Sequence, residues 1–110
     1  MIAIKTKPLS INEAWKGRRF KTDKYKAYEK FIFYSLPVIK IPTGKLEIYY
    51  EFGMSSRGSD VDNCIKSFQD ILTKKYGFND NRIYKLTVEK ADVKKGEEYI
   101  IFEINKYGNN

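Results

Sequence analysis

Two aspartates separated by one residue lie where a loop is predicted to become a helix. They are Asp60 and Asp62, and Lys66 follows Asp62 by one helical turn. Mg²⁺ prefers oxygen ligands and is usually held by one or two carboxylates together with waters and substrate phosphate oxygens. A bound Mg²⁺ polarises a phosphodiester and lowers the pKa of an attacking water. A lysine on the same face stabilises charge on the phosphate, so these residue types indicate metal-assisted hydrolysis.

The same residues also suit a purely structural interpretation. Aspartates at a helix start satisfy free N–H groups and complement the helix dipole, and Asp62 with Lys66 makes an ordinary surface ion pair. Asp70 continues this polar stripe, which is typical of a solvated helix face. Three features favour metal binding: two acids exceed the need of one cap, a Gly-Ser-Arg loop precedes them, and Lys66 shares their face. Asp80 is a third candidate ligand, although Asn-Asp-Asn is also typical of a turn.

The overall charge limits both the chemistry and the partners. The chain has 110 residues, 21 Lys and Arg against 14 Asp and Glu, a formal charge of +7, one cysteine and no histidine. These counts exclude an internal disulfide, cysteine-based zinc sites, and Ser-His-Asp or Cys-His catalysis. Excess positive charge favours polyanionic partners, although solubility alone is an alternative explanation. Combined with the acidic cluster, it indicates a metal-dependent nuclease.

The densest basic segment spans residues 15–26. Together with Arg57, which lies in the loop before the acids, this segment supplies the candidate DNA-phosphate contacts, which give affinity rather than sequence information. These candidates are Lys16, Arg18, Arg19, Lys21, Lys24 and Arg57. Trp15, Phe20 and Tyr25 alternate with the basic residues. These aromatic rings suit either stacking on exposed bases or packing in the core.

Hydrophobic periodicity predicts a single α+β domain over residues 1–110, with a mixed or antiparallel sheet of about four strands and two helices. The order is β-α-β-α-β-β. The short loop 91–96 predicts a hairpin, whose strands pair in antiparallel fashion. The predicted strands cover residues 2–4, 45–52, 82–90 and 98–104, and the predicted helices run from 22 or 23 to about 35 and from about 60 to 76. No window is apolar enough for a membrane span or a signal peptide, so a cytoplasmic protein is expected.

The pattern Asp60-x-Asp62-Asn63-x-x-Lys66, followed by a helix and by the segment 78–83, resembles the RusA-type Holliday junction resolvases. The N-terminal part, with Pro-Leu-Ser-Ile-Asn at 8–12 and Gly-Arg-Arg at 17–19, is similar to that family as well. The resemblance covers nearly the whole chain in order.

This resemblance implies a homodimer that cleaves four-way DNA junctions with Mg²⁺, for which Mn²⁺ substitutes. The family's essential aspartates match Asp60, Asp62 and Asp80, and its essential lysine matches Lys66. Members are often encoded by phages or prophages. The chain departs from the family at the third site, where Asn79 replaces the first of two adjacent aspartates and Arg82 replaces a glutamine.

The length of the second helix suggests sites shared between subunits. Residues 62–75 span about 20 Å in a helix, so Asp62 and Asp80 lie at opposite ends of a straight one. Two such helices packed antiparallel about a two-fold axis would bring Asp60 and Asp62 of one chain to Asp80 of the other. Two alternatives remain open: a non-catalytic DNA-binding dimer with the same fold, and a metal nuclease for another branched DNA.

Overall fold

The computed structural model describes residues 1–17 and 20–108, and it confirms the predicted α+β fold with a mixed four-stranded sheet. The described helices include none that is both long and apolar enough to cross a membrane. The strands are β1 (Ile2–Ile4), β2 (Trp15–Lys16), β3 (Phe20–Lys21), β4 (Leu46–Met54), β5 (Ile83–Asp92) and β6 (Tyr99–Lys106). The helices are α1 (Ile11–Ala14), α2 (Asp23–Ser35) and α3 (Asp62–Tyr76), and a 3₁₀ turn covers Asp80–Arg82.

Both long helices occur where the sequence predicts them. The Thr22 hydroxyl caps α2 by accepting a hydrogen bond from the Tyr25 N–H at 3.1 Å, and the helix ends before Pro37 because the residue before a proline is disfavoured in helical geometry. Helix α3 ends at Gly77, whose φ of 67° is the left-handed conformation that glycine adopts without steric cost. It begins at Asp62, two residues later than predicted.

The predicted pairing of the last two strands is wrong. β4 lies between β5 and β6, pairing with β5 in parallel and with β6 in antiparallel fashion, and the sheet order is β1-β6-β4-β5. The loop after β5 passes the end of β4, where the Val93 N–H donates to the Met54 carbonyl at 3.0 Å. An apolar strand such as β4 is most stable in the centre, where both of its edges are hydrogen-bonded, and loop length alone does not reveal an inserted strand.

The core is centred on Phe68 of α3. Its ring centroid lies 5.5 Å from Tyr50, 6.3 Å from Phe52 and 5.7 Å from Phe102, and all four side chains are fully buried. The rings meet edge to face, a geometry that adds to the stabilisation from burial. This packing fixes α3 against β4 and β6, so the ends of α3 have defined positions relative to the sheet.

The sequence pattern did not reveal three small elements in the N-terminal third. α1 is a single turn capped by the Ser10 hydroxyl, and β2 and β3 form a two-stranded sheet of their own. Buried Ser67 of α3 donates to the Leu9 carbonyl at 2.5 Å. This bond joins the segment before α1 to the middle of α3, which brings Glu13 to the same side of the molecule as the start of α3.

Candidate metal centre

Asp60 and Asp62 lie at the start of α3 and are both exposed. The N-cap position is Val61, which is already in helical conformation and makes no side-chain cap. Among residues 1–17 and 20–108, no hydrogen bond or ion pair reaches either carboxylate. Asp60 contributes only its backbone carbonyl, which accepts from the Asn63 N–H at 3.3 Å. The carboxylates therefore do not act as the helix cap that the structural interpretation required, and their oxygens are available to a ligand.

A cavity of about 430 Å³ opens beside Asp60. Its polar lining includes Lys7, Ser10, Glu13, Ser59, Asp60 and Asn63. Glu13 is a second acid at this cavity. Its position could not be predicted from the sequence, because tertiary packing places it beside Asp60 and the two residues are far apart in the chain. Lys24 donates to the Glu13 carboxylate at 2.8 Å, and this bond holds the pKa of Glu13 below its usual value.

The loop that carries Asp60 is tied to the sheet by Lys90 of β5. The Lys90 ammonium donates to the Arg57 carbonyl at 2.9 Å and to the Ser59 carbonyl at 2.8 Å. No sequence pattern predicts this contact, because a lysine in an alternating edge strand is normally a solvated residue.

Lys66 lies one turn into α3 and forms a cluster with two acids of the same chain. Its ammonium is 2.9 Å from Asp70 Oδ1 and 3.8 Å from Asp80 Oδ2. The hydrogen bond that Lys66 donates to Asp70, with smaller contributions from the charges of Asp70 and Asp80, raises the pKa of Lys66. Lys66 therefore stays protonated at neutral pH, so it can stabilise phosphate charge but cannot act as a general base. Asp70, which the sequence suggested was only a solvated residue, belongs to this cluster.

Asp80 occupies a short turn that two neighbouring residues hold in place. The Asn79 side chain accepts from the Asn81 N–H at 2.9 Å and caps the 3₁₀ turn. Arg82 donates to the Gly44 carbonyl at 2.9 Å and also to the Pro42 carbonyl. The two positions at which the chain departs from the resolvase pattern thus have local structural roles, and they leave the Asp80 side chain facing Lys66.

The predicted site is only partly assembled within one chain. Lys66 contacts Asp80 although it is only one turn from Asp62, so Asp80 is not at the opposite end of α3 as the sequence predicted. No described hydrogen bond or ion pair joins Asp80 to Asp60 or Asp62. Over the described parts of the chain, no three acidic, histidine or cysteine side chains gather closely enough to hold a metal ion. The donor chemistry nonetheless fits Mg²⁺, since Asp60, Asp62 and Asp80 supply hard carboxylate oxygens and the first two have no partner among the described residues.

The candidate phosphate contacts differ in their availability. Lys21 is paired with Glu29 at 3.1 Å and Lys24 with Glu13 at 2.8 Å, so both are partly neutralised. Lys16 is exposed, and the described residues include no ion-pair partner for it. Arg57 is exposed in the turn before Asp60. The predicted contacts at Arg18 and Arg19 lie outside the described residues.

The three aromatic rings of the basic segment have different environments. Tyr25 is only 2% exposed and lies within the core, with the Trp15 ring 6.1 Å away. Phe20 is 70% exposed on β3. Core packing is therefore the role of Tyr25, whereas Phe20 is exposed to solvent, and its stacking on a base stays a prediction.

No family model matches this chain, and comparison with the curated proteins also finds no match. The resemblance to RusA-type resolvases rests on the residues and spacings described above.

Proposed function

We propose that this protein is a Mg²⁺-dependent endodeoxyribonuclease that resolves four-way DNA junctions by paired nicks. The observation that carries the proposal is the pair Asp60 and Asp62, two exposed carboxylates that receive no hydrogen bond or ion pair from a described residue, in a chain of charge +7. Acids beside a phosphate-binding surface repel the ligand unless a cation lies between them. A protein that only bound DNA would gain nothing from these side chains.

Each residue has a defined task in this proposal. Asp60, Asp62 and Asp80 would hold the ion, which when bound polarises the phosphodiester and activates a water for attack. Lys66 keeps its proton and balances the negative charge that develops on the phosphate. Its ion pairs with Asp70 and Asp80 orient the ammonium before substrate arrives.

Homodimerisation would complete the site. Asp80 lies on a turn that leads directly into β5, the edge strand of the sheet. On β5, Leu86 is 39% exposed and pairs with Ile48, so it lies on the same face of the sheet as the buried row of β4. A second chain covering this face of β5, with its α3 antiparallel to the first, would bring its Asp60 and Asp62 towards Asp80. Such a two-fold dimer presents paired sites to a substrate that itself has near two-fold symmetry.

The test is a nicking assay on a synthetic four-way junction, with and without Mg²⁺. We expect paired nicks only with Mg²⁺, and their loss in Asp62→Asn. Asp23→Asn is the matched control, because Asp23 is likewise an acid in the first turn of a long helix. Junction binding without nicking in Mg²⁺ would contradict the proposal and support the non-catalytic dimer. Equal cleavage of junction and linear duplex at the same salt concentration would contradict the substrate assignment.

Shared sites are tested by mixing two inactive variants. Chains carrying Asp62→Asn and chains carrying Asp80→Asn are unfolded together and refolded, so that mixed dimers form. If the acids act across the interface, each mixed dimer has one intact site and recovers single-strand nicking. If the mixture stays as inactive as either variant alone, the acids do not act across subunits.

A further inference from the structure

We propose that Lys90 is a positioning residue that holds Asp60 in place for metal binding. This inference rests on the proposed function, because it concerns the same site. The Lys90 ammonium donates to the carbonyls of Arg57 and Ser59 at 2.9 and 2.8 Å, and Ser59 directly precedes Asp60. Lys90 contacts neither substrate nor reacting atoms in this scheme and acts through the loop.

The loop has little else to fix its conformation. Between β4 and α3 it contains Gly58 and three serines. Among the described residues, residues 55–59 make one backbone hydrogen bond of their own, from the Ser59 N–H to the Ser56 carbonyl at 3.3 Å, and the Asp60 and Val61 carbonyls accept from the first turn of α3 at 3.3 and 3.0 Å. The Ser55 hydroxyl, bonded to Glu98 at 2.7 Å, fixes only its first residue. The two bonds from Lys90 therefore anchor the segment immediately before Asp60.

The anchor itself is on a rigid element. Lys90 is opposite Phe52 in the parallel pairing of β5 with β4, and Phe52 is fully buried. Side chains supported by regular structure hold functional groups more accurately than loops do. Arg82 does the same for the loop at Pro42 and Gly44, donating to both carbonyls from the turn that carries Asp80. The Asp60 loop is thus bonded to the sheet through Lys90, and the Asp80 turn is bonded to the loop at residues 42–44 through Arg82. In both cases one cationic side chain donates to two carbonyls.

The experiment compares Lys90→Met with Lys85→Met. Lys85 is an exposed lysine on the same strand, so its replacement removes the same charge without loss of a described hydrogen bond. Amide hydrogen exchange over residues 55–62, measured without metal or DNA, should become about tenfold faster in Lys90→Met and unchanged in Lys85→Met. Thermal melting establishes that both variants are folded.

The second readout is Mn²⁺ binding, measured by titration calorimetry. Loss of a residue that orients a metal ligand typically costs roughly 10–100-fold in affinity, so Lys90→Met should weaken Mn²⁺ binding by about tenfold or more. Lys90→Arg, which retains N–H donors, should restore most of the affinity.

Several outcomes would overturn the inference. Unchanged exchange in Lys90→Met would show that the two bonds do not hold the loop. Faster exchange with unchanged Mn²⁺ affinity would show that the loop does not position a ligand. If the wild-type protein neither binds Mn²⁺ nor nicks junctions, the proposed function fails, and the exchange measurement still decides whether Lys90 anchors the loop.

Discussion

Glu51 on β4 and the Asp60–Asp62 pair are carboxylates of the same chain in opposite situations. Glu51 accepts a hydrogen bond from the Tyr49 hydroxyl at 2.8 Å and another from the Tyr99 hydroxyl, so both of its oxygens are bonded within the fold. Asp60 and Asp62 receive no such bond from any described residue. The difference separates a carboxylate that helps to hold the sheet together from carboxylates that remain available to a ligand.

A glycine of β4 makes room for the Glu51 hydrogen bonds. The Tyr99 ring lies across Gly53, where an added Cβ would come within 2.5 Å of the ring. Only glycine leaves room for the ring to lie flat and present its hydroxyl to Glu51. The bond from Tyr99, followed by that from Tyr49, lowers the pKa of Glu51. At the start of α3, by contrast, no side chain among residues 1–17 and 20–108 donates a hydrogen bond to the carboxylate of Asp60 or Asp62.

The largest expected effect is that substitution at Asp60 reduces nicking activity, whereas substitution at Glu51 reduces thermal stability. Asp60→Asn should lower Mg²⁺-dependent nicking by at least about 100-fold, because loss of a direct ligand costs more than loss of an outer partner, and it should leave the melting temperature unchanged. Glu51→Gln should leave nicking within about threefold of the wild type and lower the melting temperature. Parallel nicking and melting measurements check this. Equal loss of nicking in both variants would contradict the distinction between a structural carboxylate at Glu51 and a metal-binding carboxylate at Asp60.

A somewhat smaller effect is expected at Lys66. Lys66→Met should slow nicking by roughly 10–100-fold, because it removes the positive charge that stabilises the negative charge developing on the phosphate. Lys74→Met is the control, since Lys74 is also a lysine of α3 but pairs with Glu29 of α2 at 4.0 Å. Nicking rates at saturating Mg²⁺ separate this charge effect from a loss of metal affinity. Similar rates for the two variants would contradict the role of Lys66.

A moderate effect on stability and its pH dependence is expected at Glu51. Glu51→Gln should destabilise the fold by about 1 kcal/mol at neutral pH, after allowance for partial exposure. The folded pKa of Glu51 lies below the usual 4.5, so its stabilising contribution is complete above pH 4.5 and is lost as pH falls through the folded value. The difference in unfolding free energy between wild type and variant should therefore shrink as pH falls below 4.5. A gap that stays constant down to pH 2 would contradict this account.

The smallest effect is expected on the basic surface. Lys16→Gln should weaken junction binding by a few-fold and reduce the slope of log affinity against log salt by about 0.9, the value of one phosphate contact. Lys21→Gln should change the slope less, because Lys21 is already paired with Glu29. Binding titrations at several salt concentrations check this. A larger change in slope for Lys21→Gln would contradict the proposed ranking.

Several features of the protein are determined by the sequence itself. Helix α2 with its Thr22 cap and the end of α3 at Gly77 follow from interactions between residues close together in the chain, and the alternation of apolar and polar residues in β4 is a property of the sequence. For the same reason, the spacing of Asp62 and Lys66 places them on one helix face before any tertiary contact exists.

Other features depend on the tertiary structure. The insertion of β4 between β5 and β6, the approach of Asp80 to Lys66 and the anchoring of the Asp60 loop by Lys90 join residues that are distant in sequence. Such contacts form only after loop closure, and their energy comes from burial and hydrogen bonds that no local pattern encodes. This is why the sequence could identify the acids of the candidate site, while only the packed molecule decided which of them meet and what holds them in place.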